Sequence, residues 1–216
     1  MAPLPPDLRK SLDKSVVDAR DAAEEACEAA LNALGVDARE APAALSVESR
    51  QLRNALRAKQ RQLGGAFEQL VAECAYEQWH LMLFARFLAE NELLMHPSGA
   101  HVTLEEVAEL ARDEGEGDPW LLAARYAAAM LPGIFKTTDP CVRLPLAPEG
   151  RKALEDILTA LSAEVFTAAD ALGWVYQFWQ TKKKKEVNES GQKIDGRTLA
   201  AVTQLFTEHY LSLIHI

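Results

Sequence analysis

Apolar residues along most of this chain recur at intervals of three and four positions, which is the spacing of an amphipathic helix. The first such segment runs from Asp7 to Leu34, and Gly35 follows as a natural helix stop. Its apolar positions are mostly alanine, so this helix is predicted to pack closely while burying little area per turn. Ala41 and Pro42 mark the linker to the next element. No segment shows the alternation of apolar and polar residues that predicts a half-buried strand.

Two more helical segments follow on either side of Gly64–Gly65. Ser46 is predicted to cap the second helix. One side of that helix carries a group of five cations: Arg50, Arg53, Arg57, Lys59 and Arg61. The group has two interpretations, a solvated face that pairs with acidic neighbours and a surface that faces phosphate. The third helix, from Phe67 to Leu94, is apolar on more than one side and is therefore predicted to be central.

The second half of the chain carries helix-start signals. Thr103 and Glu106 have the spacing of a capping box. Asp118 followed by Pro119 predicts an N-cap with proline at the first helical position. These signals predict a short acidic helix that ends before the next glycines, and another helix that runs to Leu131.

Prolines then define a loop from Pro132 to Pro148, in which Val142–Leu144 is predicted to form at most a short extended piece. Helices are predicted to resume after this loop and again from about Ala168. The last helix carries a dense aromatic block, Gly173–Gln180, followed by the lysine run Lys182–Lys185. Lysines at a helix C-terminus oppose the negative end of the helix dipole. The run is therefore interpreted as a solvated cap, with contact to a DNA backbone as the alternative.

The aromatic block predicts a feature of the surface. Aromatic side chains bury large areas, and Trp N–H and Tyr O–H groups need polar partners, so such a block usually seats one element against another. We expect it to expose an apolar patch when that second element is absent. The expected patch comprises Trp174, Tyr176, Trp179, Leu205 and Phe206.

Composition narrows the class of protein. The chain has 216 residues, of which 49% are hydrophobic and 25% charged, enough for one large or two small domains with a core. Its longest apolar stretch, Leu81–Leu88, falls far short of the roughly 20 residues that cross a bilayer, and no basic-then-apolar leader occurs. We therefore expect a cytoplasmic protein with no membrane partner. The net charge of −9 argues against nonspecific coating of nucleic acid but leaves room for a local basic surface.

Candidate chemistry is sparse. Cys27, Cys74 and Cys141 are far apart, which suits neither a disulfide framework nor a paired-cysteine metal site, and they are predicted to be reduced and buried. The histidines do not share ligand spacing, so no metal site is expected. No phosphate-binding glycine loop, serine elbow or catalytic metal motif occurs. The residues alone predict a mainly α-helical domain with no reaction centre and no catalytic residue of its own.

Segments near the C-terminus resemble a known enzyme family. Leu172–Trp179, the lysine-rich stretch with Glu186–Asn188, and Val202–Thr207 are similar to the region just before the catalytic domain in large bacterial adenine-specific DNA methyltransferases. These are the phage-exclusion (BREX/Pgl-type) enzymes and related restriction-modification enzymes. Phe67–Leu94 and residues 129–161 resemble the helical N-terminal part of the same enzymes less specifically, and the first sixty residues show no resemblance.

The resemblance implies a fold class and a cofactor, S-adenosylmethionine. In that family, the segment that matches residues 203–207 opens the methyltransferase domain and borders the cofactor pocket. Phe206 and Thr207 are therefore the implied cofactor contacts, with Thr203 and Gln204 as weaker candidates; the alternative is that Phe206 is a buried hydrophobic anchor. The implied fold class is mainly α, a multi-helix N-terminal domain with the start of an α/β methyltransferase domain only at the extreme C-terminus.

The resemblance also implies a reaction and partners. Enzymes of this kind methylate the exocyclic amine of a flipped-out adenine, and the family does so with an Asn/Asp-Pro-Pro-aromatic loop that this chain lacks. The expected role is therefore a catalytically inert scaffold. Its implied partners are the catalytic domain of the same enzyme, double-stranded DNA and other defence-system subunits. A stand-alone helical protein-interaction module is the alternative.

The chain is predicted to divide into four parts. These are a helical arm over residues 1–62, a helical domain over 63–187, a linker with the first methyltransferase segment over 188–210, and a terminal hexapeptide over 211–216. The hexapeptide can be read as the in-frame translation of a transposon-end sequencing adaptor, so we expect it to be a sequencing scar.

Overall fold

The computed structural model describes residues 3–115, 117–131 and 136–190, with residues 181–190 described as helical backbone. The architecture is mainly α, as predicted, and these residues form eight helices. They are α1 (Pro6–Ala33), α2 (Val47–Gln62), α3 (Phe67–Glu90), α4 (Leu104–Asp113), α5 (Pro119–Met130), α6 (Pro148–Ala160), α7 (Ala163–Thr167) and α8 (Ala171–Ser190). Within the described ranges there is no β-strand, and an isolated antiparallel bridge joins Met95 to His101. The predicted start of an α/β domain lies outside them.

The described residues fall into two packing units. The larger unit comprises residues 19–160, and the smaller unit comprises residues 3–18 together with 161–190. Helix α1 therefore contributes its N-terminal part to the smaller unit and its remainder to the larger one. The predicted boundaries at residues 62 and 187 stay predictions.

Helix α3 is the central element of the larger unit, which confirms the prediction from its apolar pattern. It packs against α2, α4, α5 and α6, and its buried side chains include Leu70, Trp79 and Met82. Burial of one large apolar side chain contributes ~1.5–3 kcal/mol. A helix with so many buried side chains therefore supplies a large share of the stabilisation of this unit.

The helix-start signals are confirmed. Ser46 caps α2 through its side chain. Thr103 and Glu106 form the complete capping box of α4, with reciprocal bonds of 3.2 Å and 2.8 Å. Asp118 caps α5, and Pro119 occupies the first helical position. These motifs satisfy backbone N–H groups that the first turn of a helix leaves without intrahelical partners.

Two glycines permit close contacts near α1. Gly35 has a φ of 63°, and a Cβ atom at this position would lie 2.7 Å from Cδ of Pro42, so glycine ends α1 as predicted. On α6, a Cβ atom at Gly150 would lie 2.6 Å from Cβ of Ala26. The two helices approach closely here because glycine on one of them meets alanine on the other.

Some element boundaries differ from the prediction. Helix α3 ends at Glu90 and not at Leu94, because Asn91 leaves the helical conformation and its side-chain amide donates to the carbonyl of Phe87 at 2.8 Å. Residues 141–143 form a turn, which agrees with the loop predicted there.

The C-terminal helices also differ. Helix α7 was not predicted, because five residues offer too few positions for a periodic pattern to show. Helix α8 continues to Ser190, so the run Lys182–Lys185 lies inside the helix and not at its C-terminus. The interpretation of the run as a helix cap is therefore wrong. No helix in the described part of the chain combines the length and apolar character that spanning a membrane requires.

Candidate functional site

The predicted cofactor contacts Thr203, Gln204, Phe206 and Thr207 lie outside the described residues, as does Leu205 of the expected apolar patch. Four places in the described part of the chain are candidates for a functional site. They are the aromatic start of α8, the basic side of α2, a polar network around α3 and a groove at the C-terminal end of α3.

The aromatic start of α8 packs within its own unit. Trp179 is buried, and Trp174 and Tyr176 are half-buried. The ring of Trp174 stacks on Phe178 with centroids 5.5 Å apart. The guanidinium of Arg9 lies over the Trp174 ring, 4.8 Å from its centroid. The expectation of an exposed patch is therefore wrong for Trp179, because its side chain is only 6% exposed.

Asp170 joins the N-terminal arm to the start of α8. One of its carboxylate oxygens accepts the backbone N–H of Leu4 at 2.7 Å, and the other accepts the indole N–H of Trp174 at 2.8 Å. The side chain of Leu4 is buried as well. Sequence analysis missed this connection because Leu4 and Asp170 are 166 positions apart and no local pattern links them.

Three of the four arginines of α2 are bonded to the backbone of the chain itself. Arg53 is only 6% exposed, and its guanidinium donates to the carbonyl oxygens of Gly35 at 2.9 Å and Ala38 at 2.7 Å. Arg57 donates to the same Ala38 carbonyl at 2.6 Å. Arg50 donates to carbonyls nearer the start of α2, at 3.1 Å. These arginines therefore hold the loop between α1 and α2 in place.

Lys59 is the α2 cation that does pair with acidic neighbours. Its ammonium nitrogen lies 2.9 Å from a carboxylate oxygen of Asp139 and 3.1 Å from one of Glu73. Burial disfavours the charged ammonium, but the bonds to the two carboxylates outweigh burial and raise the pKa of Lys59. Burial likewise disfavours the Asp139 carboxylate, yet the bond from Lys59 leaves the pKa of Asp139 lowered.

These contacts decide between the two interpretations of the basic helix. A protein neutralises a phosphate backbone with free cationic side chains. The arginines and the lysine named above already bind carbonyls and carboxylates of the chain itself. The phosphate-facing interpretation of α2 is therefore disfavoured. The pairing interpretation holds for Lys59, whereas Arg50, Arg53 and Arg57 bind carbonyl oxygens in place of acidic side chains. The exposed Arg61 takes no part in these contacts.

Gln78 fastens the proline-rich loop to α3. The side chain is buried, and its amide nitrogen donates to the carbonyls of Cys141 at 3.0 Å, Val142 at 2.9 Å and Leu144 at 3.1 Å. Sequence analysis did not single out this residue. The available signal was a glutamine among apolar positions of a helix predicted to be buried, because a buried amide needs partners.

Glu77 and His80 lie one turn apart on α3 and line a small cavity of about 10 Å³. Burial, reinforced by the nearby carboxylates of Asp139 and Glu73, raises the pKa of Glu77. Burial lowers the pKa of His80. Perturbed acid and base groups in a cavity are typical of active sites, but this space accommodates about one water molecule. We therefore assign no catalytic role to the pair.

The three cysteines converge in the larger unit although they are distant in sequence. Cys27, Cys74 and Cys141 are buried and free, as predicted. The hydrogen bond to Cys74 and burial together raise the pKa of Cys141, and burial raises the pKa of Cys27 to about 12. Thiols in such surroundings are poor nucleophiles. Nowhere in the described ranges do histidine, cysteine and acidic side chains cluster as metal ligands do.

A groove of about 410 Å³ lies at the C-terminal end of α3. Arg86 lines it and donates to a carboxylate oxygen of Glu90 at 3.2 Å and to the carbonyl of Leu158. Trp120 also lines the groove, and its indole N–H donates to Glu155 at 2.8 Å.

Comparison with known proteins gives one informative match. The chain is similar to the adenine-specific methyltransferase BrxX of Escherichia coli O9:H4 (strain HS), with 26% identity over 178 residues. It is distantly related to an adenine-specific methyltransferase. The match covers 67% of the chain and 14% of the relative, so the chain spans only a small part of the length of BrxX. No family model and no solved structure matches the chain.

Proposed function

We propose that this chain is the helical N-terminal part of an S-adenosylmethionine-dependent DNA adenine methyltransferase that acts at specific sites in a bacterial phage-defence or restriction-modification system. The observation that carries the proposal is the similarity to BrxX, which covers 67% of the chain. The resemblance of Leu172–Trp179 and Val202–Thr207 to the region before the catalytic domain gives further support.

In this proposal the chain is a scaffold and does not transfer methyl groups itself. Its sequence contains no Asn/Asp-Pro-Pro-aromatic loop, so the reaction belongs to a catalytic domain elsewhere in the full-length enzyme. S-adenosylmethionine supplies the methyl group there. Phe206 and Thr207, together with Thr203 and Gln204, are the proposed contacts to this cofactor.

The proposed substrate is double-stranded DNA in the cytoplasm, and other defence-system subunits are proposed as further partners. The described residues offer little to a phosphate backbone, because the chain carries a net charge of −9 and Arg50, Arg53 and Arg57 bind carbonyls. We therefore assign the main DNA contacts to the catalytic domain. Lys182–Lys185 remains the candidate DNA contact on this chain.

The proposal is tested with the full-length gene product, read beyond the codon for Tyr210. Incubated with radiolabelled S-adenosylmethionine and duplex DNA, it is expected to transfer label to the exocyclic amine of adenine, whereas this chain alone transfers none. The matched control replaces the Asn or Asp of the Pro-Pro loop in the full-length protein with alanine. A folded full-length protein that transfers no label, or a stop codon directly after Tyr210, contradicts the proposal.

The alternative function, a stand-alone helical protein-interaction module, relied on exposure of Trp174, Tyr176 and Trp179. Trp179 is buried, and Trp174 is held by Arg9 and Asp170. Two of the three side chains that would carry this alternative are therefore not freely available.

A further inference from the structure

The groove at the C-terminal end of α3 has the size and the construction of a ligand site. Its volume of about 410 Å³ falls in the ~300–1,000 Å³ range typical of ligand pockets. The last turns of α3 and α6 and the first turns of α4 and α5 form its walls. A site on helices that pack against one another is held more rigidly than a site on loops.

The lining offers both apolar contact and a fixed aromatic ring. Leu104 and Ala108 contribute apolar surface, and Trp120 adds a half-buried indole. The bond from the indole N–H to Glu155 at 2.8 Å limits rotation of the Trp120 side chain. An aromatic ring held in place is a ready partner for a ligand cation.

The charged lining selects against anions. Among the described side chains of the groove, Arg86 is the cation, and it already holds Glu90 and the carbonyl of Leu158. Two further carboxylates, Glu105 and Glu155, also line the groove. A phosphate or carboxylate ligand is therefore repelled, whereas a cation meets two carboxylates in addition to the Arg86–Glu90 pair.

We infer that this groove binds the guanidinium of an arginine presented by a basic peptide segment of a partner protein. A guanidinium is flat, stacks on indole rings and has five N–H donors in a fork that matches carboxylates. It therefore uses the carboxylates and Trp120 together. A lysine ammonium makes the charge contact without the fork and the stacking, so it is expected to bind more weakly. The inference goes beyond methyl transfer and does not depend on it.

A second acidic groove on α4 provides an internal control. Its volume is about 300 Å³, and Glu106, Glu109 and Asp113 line it. It has no tryptophan in its lining, so it offers no indole ring for a guanidinium to stack on. Glu105 and Glu109 lie one turn apart on α4 and are both exposed. Glutamine at each of these two positions therefore distinguishes binding in the first groove from general attraction of a cation to an acidic helix.

The test measures, by fluorescence anisotropy, the binding of a labelled peptide with several arginines spaced by serine to the full chain. Glu105→Gln and Glu155→Gln are each expected to raise Kd roughly two- to fivefold, as for loss of one partly exposed ion pair. Glu109→Gln is expected to leave Kd unchanged. Glu155→Gln retains an oxygen that accepts the Trp120 N–H. If circular dichroism shows that this variant is unfolded, the result for Glu105→Gln, at an exposed position, decides the test.

Variant ligands test the chemistry of the contact. A peptide with citrulline in place of arginine keeps the shape and loses the charge, and it is expected not to bind; a lysine peptide is expected to bind more weakly than the arginine peptide. Equal weakening by Glu105→Gln and Glu109→Gln overturns the inference, and so does equal affinity for the citrulline peptide or no binding of the arginine peptide. Displacement of the peptide by an equal concentration of spermidine would indicate a free polyamine as ligand and would also overturn it.

Discussion

Several charged side chains of this protein stabilise its own backbone, and Arg53 is the clearest case. It is almost fully buried, and its guanidinium serves two carbonyls of the loop between α1 and α2. A lysine in its place would provide a single ammonium without the planar fork that reaches both oxygens. Arginine at this position is therefore explained by folding and needs no ligand.

Replacement of Arg53 by alanine is expected to lower the free energy of unfolding by about 2–4 kcal/mol, because the carbonyl of Gly35 loses its charged donor and the carbonyl of Ala38 keeps only Arg57. Urea unfolding followed by circular dichroism measures the change. Arg61→Ala, at an exposed position of the same helix, is the matched control and is expected to change stability by less than about 0.5 kcal/mol. Equal losses in the two variants would show that Arg53 has no special role.

Glu77 couples stability to pH. Burial, with a contribution from Asp139 and Glu73, raises the pKa of this carboxyl in the folded protein. A carboxyl with a raised folded pKa contributes stability that is fully present below its unfolded pKa of about 4.3. That contribution is lost as the pH rises through the folded pKa. Ionisation of Glu77 therefore opposes folding.

Glu77→Gln is accordingly expected to be more stable than the wild type near pH 8, by up to about 1 kcal/mol because the group is only partly buried and is screened by solvent. Near pH 3 the difference is expected to disappear, since glutamine imitates the protonated carboxyl. Urea midpoints at the two pH values measure the effect. Glu68→Gln, at an exposed position on α3, controls for the change in net charge. A variant less stable than wild type near pH 8 would refute this account.

At the scale of elements, isolated polar side chains attach segments that no local pattern connects. Gln78 attaches the proline-rich loop to α3, and Asp170 attaches the N-terminal arm to α8. Each uses a buried or half-buried polar group with several partners, which makes the attachment sensitive to small chemical changes.

Asp170→Asn tests such an attachment. Asparagine retains one oxygen and replaces the other with an amide group, so either Leu4 N–H or Trp174 N–H loses its acceptor. We expect the NMR resonance of the Trp174 indole N–H to shift and the exchange of this proton with solvent to accelerate. Loss of the hydrogen bond is expected to lower the free energy of unfolding by about 1–3 kcal/mol. Asp13→Asn, at an exposed position on α1, should leave that resonance unchanged. An unaltered Trp174 resonance in Asp170→Asn would rule out the proposed attachment.

At the scale of the whole molecule, the burial of three thiols reports on opening of the larger unit. Cys27 and Cys74 lie on different helices, and Cys141 lies in the loop that Gln78 holds. Their environment is assembled from segments far apart in sequence. Reagent therefore reaches them only when those segments separate.

Iodoacetamide is expected to leave all three cysteines of the native protein unmodified and to alkylate all three in urea, because burial disfavours the reactive thiolate. Mass spectrometry counts the adducts. Ser11→Cys places a thiol at an exposed position of α1 and should react in the native state, which verifies that the reagent is active. Rapid native alkylation of Cys141 would instead indicate that the proline-rich loop opens by itself.

Local sequence determined the mainly helical architecture and most helix starts. The capping box of Thr103 and Glu106, the Asp118–Pro119 start and the Gly35 stop all depend on residues within a few positions of one another. The distant methyltransferase relationship was likewise visible in the order of the residues.

Only the tertiary structure decided which of these side chains are available. It buried Trp179, bonded Arg53 to backbone carbonyls, brought the cysteines together, and formed the groove of Trp120 and Glu155 from separate helices. The physical reason is the separation in sequence of the residues that interact. Helix formation depends on short-range periodicity and capping, whereas burial and pairing depend on which distant segments meet, and the periodic pattern of a single segment does not specify its neighbours.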